Sequence, residues 1–139
     1  MIILDTNVVS ELFKPEPEPN VVTWISSLSE DVAITTVTYA ELLAGIQRLP
    51  TGRRKAELGV GLNQILHSYA STGVVLPFDV AAAKQYADVL ERRFRNGTPI
   101  STADAQIAAI CLTHEATCAT RNVKDFMGTG VSVIDPWDL

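Results

Sequence analysis

The chain has 139 residues, of which 47% are hydrophobic and 19% charged, and its formal net charge is −5. This length suits one domain, residues 1–139, with a substantial core, and the composition excludes a disordered chain. No apolar run approaches the roughly 18 residues of a membrane span, and the acidic balance argues against non-specific binding of nucleic acid. Because Cys111 and Cys118 lack metal-finger spacing and no signal peptide precedes Asp5, we expect a reduced, cytoplasmic protein.

Short apolar strands alternate with helical segments along the chain. The spacing of apolar residues predicts helices at 8–13, 21–28, 37–49, 51–69, 80–95 and 101–114. Asn20 is a possible cap of the second helix, Asp79 is the expected cap of the fifth, and Asn96-Gly97 is expected to end the fifth. Short apolar runs predict strands at 2–4, 32–35, 74–76, 117–120 and 131–134. No hairpin signal joins any two strands, so the pattern predicts an α/β fold whose parallel sheet is covered by helices on both faces.

Four carboxylates stand at strand ends or within apolar helical segments. Asp5 ends the first predicted strand, and Asp125 follows the fourth. Glu41 lies in an apolar helix, and Asp104 lies in the first turn of another. Strand ends and helix starts of a parallel sheet share one edge, so we expect these side chains to gather there. Gathered carboxylates repel one another unless cations bind them, and Mg²⁺ or Mn²⁺ takes such oxygen ligands.

Each carboxylate also has a simpler interpretation. Asp104 and Ser101 have the spacing of a capping box, so Asp104 could serve only to begin its helix. Glu41 could face solvent, Asp125 could belong to an ordinary turn, and Asp5 could be a helix cap. The set of four is therefore stronger evidence of chemistry than any one member. If they hold metal, such a site can activate water and stabilise a phosphodiester transition state.

Four short motifs together resemble those of the PIN-domain ribonucleases. They are Leu4-Asp5-Thr6-Asn7, Thr38-x-x-Glu41-Leu42, Asp104-x-x-Ile107-Ala108 and Thr120-x-Asn122-x-x-Asp125-Phe126. The chain is similar in length to the VapC toxins of bacterial type II toxin–antitoxin modules. Its end, from Gly128-Thr129-Gly130 to Asp135-Pro136-Trp137, resembles the FitB-like branch.

This resemblance implies a three-layer α/β/α PIN-like domain with a central parallel sheet. It implies endonucleolytic cleavage of RNA that depends on Mg²⁺ or Mn²⁺. It further implies a homodimer and a toxin–antitoxin hetero-oligomer, in which a small DNA-binding antitoxin covers the active site. The aliphatic helices at 21–28 and 51–69 are plausible faces for the dimer.

The resemblance also assigns residues to the site. Asp5, Glu41 and Asp104 match the three core acidic positions, with Asp5 and Asp104 the expected metal ligands. The fourth position stays open between Asn122 and Asp125. Three polar residues, Thr6, Asn7 and Thr120, match the lining of the pocket, and Asn7 could hydrogen-bond the first carboxylate. Six basic residues are candidates for contacting RNA phosphates, or else belong to solvated helix faces: Arg53, Arg54, Lys55, Arg92, Arg93 and Arg121.

Two other functions fit the same residues less well. One is a phosphatase that uses Asp5 as a nucleophile, but haloacid-dehalogenase-type enzymes need a second Asp where Asn7 stands here. The other is a non-catalytic PIN-fold binding module. The intact acidic positions argue against that second function.

Overall fold

The computed structural model describes residues 1–71 and 74–139, except for the side chains at 66 and 68–71. The elements follow the order predicted from the sequence. In the described residues they are β1 (Ile2–Leu4), α1 (Thr6–Leu12), α2 (Pro19–Ser27), β2 (Val32–Thr35), α3 (Thr36–Gln47), α4 (Arg53–Ser71), β3 (Val75–Leu76), α5 (Val80–Arg95), α6 (Thr102–Thr113), β4 (Thr117–Ala119), α7 (Val123–Phe126), β5 (Ser132–Ile134) and a 3-10 helix (Pro136–Asp138).

The predicted strands are confirmed to within one residue at each end. Helices α1 and α2 begin two residues earlier than predicted, α3 begins one residue earlier, and α4 covers Arg53–Ser71 instead of 51–69. Helix α1 begins at Thr6 because Asp5 caps it, its side chain accepting a hydrogen bond from the Thr6 amide. Helix α2 begins at Pro19, a residue whose fixed φ suits a first helical position, so Asn20 is not its cap. The predicted turn after the fourth strand is instead a short helix, α7.

The five strands form one parallel sheet in the order β3-β2-β1-β4-β5. The chain builds outward from β1 to β3 on one side, and then crosses to β4 and β5 on the other. The carboxyl ends of β1 and β4 therefore form the point where the strand order reverses, which is where open α/β sheets bind ligands.

Alternate side chains of each strand enter two separate cores, one on each face of the sheet. On one face Ile3, Ala33 and Cys118 pack under α5, α6 and α7. On the other face Leu4 and Ile34 pack under α1 to α4. This alternation follows from the two-residue period of a strand, and it confirms the three-layer arrangement predicted above. No helix in the described ranges is long and apolar enough to cross a membrane.

Candidate active site

A cavity of about 390 Å³ opens at the carboxyl ends of β1 and β4. It receives side chains from the start and inner face of α1, from α3, from α6, from the loop after β4 and from the 3-10 helix. The lining residues are Asp5, Thr6, Asn7, Ser10, Glu11, Lys14, Glu41, Asp104, Arg121, Asn122 and Trp137. Three of the four predicted carboxylates, Asp5, Glu41 and Asp104, thus face one cavity.

Asp5 is the most deeply buried carboxylate of this cavity, with 4% of its surface exposed. Its Oδ1 accepts a hydrogen bond from the Thr6 amide at 2.8 Å, and its Oδ2 accepts one from the Thr120 hydroxyl at 2.8 Å. Burial raises the pKa of Asp5, the hydrogen bonds from Thr120 and Thr6 lower it, and the charges of Asp104 and Glu41 raise it further. The net effect is a raised pKa, because burial disfavours the ionised form of Asp5 more than its hydrogen bonds favour it.

Asn7, in the first turn of α1, and Thr120, just after β4, hold Asp5 in place. The Asn7 amide donates to Oδ2 of Asp5 at 3.1 Å and to the Thr120 hydroxyl at 3.2 Å. Its carbonyl oxygen accepts a hydrogen bond from the Arg121 amide at 3.1 Å. The Thr120 hydroxyl also accepts from the Asn122 amide at 3.0 Å. The end of β1 and the loop after β4 are therefore joined by one network of polar contacts.

Glu41 reaches the cavity from α3, and its carboxylate is exposed to solvent. The Thr6 hydroxyl donates to its Oε1 at 2.6 Å, and the hydroxyl groups of Thr6 and Thr38 lie 3.1 Å apart. Thr38 is itself buried, one turn before Glu41 on the same helix. These contacts fix one rotamer of a side chain that would otherwise move freely in water.

Asp104 lies half-buried in the first turn of α6. The Ser101 hydroxyl accepts a hydrogen bond from the Asp104 amide at 3.2 Å, which is the N-cap predicted from the sequence. Burial raises the pKa of Asp104, a hydrogen bond with Ser101 lowers it, and the charges of Asp125 and Glu41 raise it. The capping role and the cavity position therefore coexist in one residue.

The two candidates for the fourth position line different depressions of the surface. Asn122 lines the cavity with the carboxylates. Asp125 is half-buried and opens instead on a neighbouring depression lined by Arg93 and Lys124, among others. Its charge still raises the pKa of Asp104, so Asp125 influences the site electrostatically without lining the cavity.

Four lining residues were missed by the sequence analysis: Ser10, Glu11, Lys14 and Trp137. Glu11 is buried, and its carboxylate accepts from the Lys14 ammonium at 3.0 Å and from the Glu18 amide at 3.2 Å. The Lys14 hydrogen bond is the main cause of the lowered pKa of Glu11. Ser10, Glu11 and Lys14 follow Asn7 by three, four and seven residues, a spacing that places them on one side of a helix beginning at Thr6. Predicting that start would therefore have indicated these three lining residues.

Arg93 was a candidate for binding RNA, and the structure shows that this assignment is wrong. Its side chain is buried, with 6% of the residue exposed, and it donates to the carbonyl oxygens of Thr98, Pro99, Asp125 and Met127. Every hydrogen bond of this guanidinium goes to the backbone. It is therefore a structural cation and not a free contact for phosphate.

The other basic candidates lie on the surface, and only Arg121 lines the cavity. Arg53 pairs with Glu57, the Lys55 ammonium donates to a backbone carbonyl of α3, and Arg92 donates to the Thr129 carbonyl at 2.9 Å. Arg54 lines an apolar groove that continues from the cavity between α1, α3 and α4. Arg121 lies over the Trp137 ring, with its Cζ 5.1 Å from the ring centroid.

The donor chemistry of the cavity suits a hard divalent cation. Asp5, Glu41 and Asp104 present carboxylate oxygens. Burial, and then repulsion from neighbouring carboxylates, raises the pKa of Asp5 and that of Asp104. Within the described ranges, however, no three acidic, histidine or cysteine side chains stand close enough to form a ready-made metal cluster. The fit therefore rests on ligand type and unbalanced charge and not on preformed coordination.

Comparison with known proteins places this chain in a family. Residues 2–126 match the model of the PIN domain, and the chain belongs to the PIN-domain family. It is 39% identical over 140 residues to the VapC ribonuclease Y4jK of Sinorhizobium fredii, and 42% identical over 139 residues to the toxin FitB of Neisseria gonorrhoeae. In both comparisons 99% of each chain is covered.

A solved structure shows the same architecture over its full length. The structure of FitAB bound to an IR36 DNA fragment matches with a TM-score of 0.93 at 40% identity, covering 100% of this chain and 97% of that chain. The five-stranded parallel sheet described above is thus the PIN-domain fold of this relative.

Proposed function

We propose that this chain is a metal-dependent endoribonuclease and the toxin of a type II toxin–antitoxin module. The observation that carries the proposal is the convergence of Asp5, Glu41 and Asp104 on one cavity at the switch point of the sheet. The similarity to a named VapC ribonuclease and to the toxin FitB supports the reaction class and the toxin role.

Asp5 and Asp104 would hold Mg²⁺ or Mn²⁺, with Glu41 and Asn122 as further oxygen ligands. Such an ion, when bound, lowers the pKa of a water molecule and stabilises charge on the phosphate. The chain itself keeps Asp5 oriented through the Thr6 amide, Thr120 and Asn7. Glu41 is held by Thr6 in the same way. Asp5 and Glu41 are thereby oriented toward the cavity, and a bound ion would still have to draw the three carboxylates together.

Cleavage of single-stranded RNA by the purified chain tests the enzymatic proposal. We expect cleavage with Mg²⁺ or Mn²⁺, and its loss with EDTA and in Asp5→Asn. Asp79→Asn is the matched control, because Asp79 caps α5 away from the cavity and Asn is an equally good N-cap. Activity that survives both EDTA and Asp5→Asn would contradict the metal mechanism. A trapped aspartyl-phosphate on Asp5 would instead favour the phosphatase alternative.

The toxin role predicts two partners besides RNA, a second copy of the chain and a small DNA-binding antitoxin. Similarity to FitB, and to FitAB bound to DNA, supports both the antitoxin and its DNA-binding role. Expression of the chain should arrest growth, and co-expression of a short reading frame encoded immediately upstream should restore it. Growth arrest by Asp5→Asn at equal protein level would argue against toxicity through RNA cleavage.

A further inference from the structure

The cavity has a second wall, opposite in character to its carboxylates. Arg121 and Trp137 line the same cavity as Asp5, Glu41 and Asp104. The Arg121 guanidinium lies over the Trp137 ring at 5.1 Å from its centroid, within the range of a cation–π contact. A planar cation supported by an aromatic ring therefore stands beside the proposed site of phosphate cleavage.

Both members of this pair are held by their backbones, while the guanidinium itself stays accessible. The Arg121 amide donates to Oδ1 of Asn7, and the Trp137 amide donates to Oδ1 of Asp135 at 2.9 Å. Trp137 is half-buried and packs against the core beneath α1 to α4. Across the described residues, the Arg121 side chain forms no ion pair and no hydrogen bond with another side chain. The guanidinium therefore contacts the Trp137 ring and its charge helps to lower the pKa of Glu11, but its hydrogen-bond donors remain accessible to a ligand.

Charge makes Arg121 distinctive among the cations of this cavity. The other lining cation, Lys14, is paired with the buried Glu11 carboxylate. The chain carries a net charge of −5, and the cavity floor is acidic, so a polyanion is repelled unless local contacts offset the repulsion. A guanidinium over an aromatic ring can offset it in two ways, by charge and by stacking on the flat face of a base.

We propose that Arg121 and Trp137 form a stacking platform for one unpaired nucleobase of the substrate, next to the phosphate that is cleaved. The inference rests on the proposed ribonuclease function and adds to it a contact for one base beside the cleaved phosphate. A base within a duplex is stacked on its neighbours and is not available to such a platform. Stacking on aromatic and arginine planes is the means by which proteins bind single strands with little regard to sequence.

The test measures RNA affinity in an Asp5→Asn background with Mg²⁺, which keeps the RNA intact. The probes are a short single-stranded RNA of mixed sequence, the same RNA as a duplex, and the same ribose-phosphate chain without bases. Trp137→Leu should weaken binding of the single strand by about 5- to 150-fold, as loss of one stacked base predicts. Arg121→Lys keeps the charge but should also weaken it several-fold. Neither substitution should alter binding of the baseless chain, and the duplex should bind weakly throughout.

Matched controls separate stacking from charge and from folding. Trp24→Leu removes the other tryptophan, which lies on α2 outside the cavity lining, and Arg95→Lys changes an exposed arginine on α5. Both should bind RNA as the parent does. If Trp137→Leu fails to fold, Trp137→Phe takes its place and should retain most of the affinity, because it keeps an aromatic ring. In that case the affinity of Arg121→Lys for the single strand tests the stacking platform.

Other outcomes overturn the platform. If Arg121→Lys binds like the parent while Arg121→Gln lowers the salt dependence, Arg121 is a phosphate contact only. An equal loss on the baseless chain would likewise reduce the pair to a backbone contact. If the native chain cleaves RNA while these variants bind RNA normally, the stacking platform is rejected and the proposed ribonuclease function stands. If it neither binds nor cleaves RNA, the proposed function fails with it.

Discussion

Asp5 keeps a carboxylate where burial makes its charge costly. Hydrogen bonds from the Thr6 amide and from Thr120 oppose the cost of burial, yet the pKa of Asp5 remains raised. Ionisable groups whose pKa is shifted by burial and by neighbouring charges cluster at functional sites. The physical signature of the site is therefore unbalanced negative charge, which a bound cation would neutralise.

Thr120 should be the residue on which the geometry of Asp5 depends most. Its buried hydroxyl donates to Asp5 and accepts from the amides of Asn7 and Asn122. Thr120→Val has the same shape but removes all three bonds, so we expect the free energy of unfolding to fall by about 1–3 kcal/mol. Weaker Mn²⁺ binding, measured by calorimetry, should accompany it. Thr120→Ser, which keeps the hydroxyl, should stay close to the native protein in both measurements.

Asp104 should show the cost of the carboxylate cluster without disturbing its own helix. Asp104→Asn keeps the backbone bond to Ser101 and relieves repulsion from Glu41 and Asp125. For this half-exposed group we expect a gain of about 0.5–1 kcal/mol after solvent screening, or a rise in Tm of roughly 2–4 °C, in metal-free protein. RNA cleavage should be lost. Asp88→Asn, at an exposed position of α5, should leave both Tm and activity unchanged.

The buried guanidinium of Arg93 joins α5, α6 and α7, and this link fixes the positions of Asp104 and Asp125 relative to each other. Arg93 on α5 contacts the carbonyls of Thr98 and Pro99, just before α6, and those of Asp125 and Met127 at α7. Asp104 stands at the start of α6, and Asp125 lies on α7. The separation of these two carboxylates therefore depends on the planar, many-donor geometry of one guanidinium.

Arg93→Lys should consequently be far from conservative. A lysine ammonium cannot reach the same spread of carbonyls, so buried acceptors lose their partners, and we expect a loss of about 2–4 kcal/mol of stability. Chemical denaturation measures this directly. Arg95→Lys, on the same helix and paired with Glu91 at the surface, should cost no more than about 0.5 kcal/mol. Equal effects of the two substitutions would show that the buried link is unimportant.

The elements best predicted from sequence are those whose signals are local. Asp79 and Ser101 are predicted caps, and each accepts the expected amide bond at the start of its helix. Asn96 and Gly97 end α5 as predicted, and Gly97 takes a φ of +66° that favours glycine. Such caps depend on residues three or four positions apart, which the sequence displays directly.

The features that escaped prediction depend on contacts between distant segments. Arg93 resembles its exposed neighbours Arg92 and Arg95 in sequence, and only the fold shows that carbonyls from two other segments surround it. Trp137 reaches the cavity from the end of the chain, more than a hundred residues after Asp5. For Asp5 the sequence offers a catalytic carboxylate and a helix cap as alternatives, and the structure shows that it caps α1 while also lining the cavity. Tertiary packing determines these roles, and the local spacing of residues in the sequence does not indicate them.

Across the whole molecule, the sheet topology gathers charge that the remaining residues do not compensate, so stability should depend on both pH and metal. The pKa values of Asp5 and Asp104 are raised above their ordinary value near 4, and the folded chain then holds more protons than the unfolded one as pH rises above 4. The free energy of unfolding must therefore fall as pH rises from the ordinary pKa near 4 to the raised pKa of the folded state. The lowered pKa of Glu11 has the opposite sign, but its stabilisation is lost only at more acidic pH.

Denaturation of metal-free protein at pH 4.5, 5.5 and 7 should therefore show declining stability, with a shallower decline in the double variant Asp5→Asn/Asp104→Asn. At pH 7, Mn²⁺ at a hundred times its Kd should restore about 2.7 kcal/mol to the native chain, because an ion that binds only the folded state stabilises it by mass action. The double variant should gain almost nothing. A similar gain in both proteins would place the ion elsewhere on the molecule. A pH-independent native chain would mean that the carboxylates are already compensated without a cation.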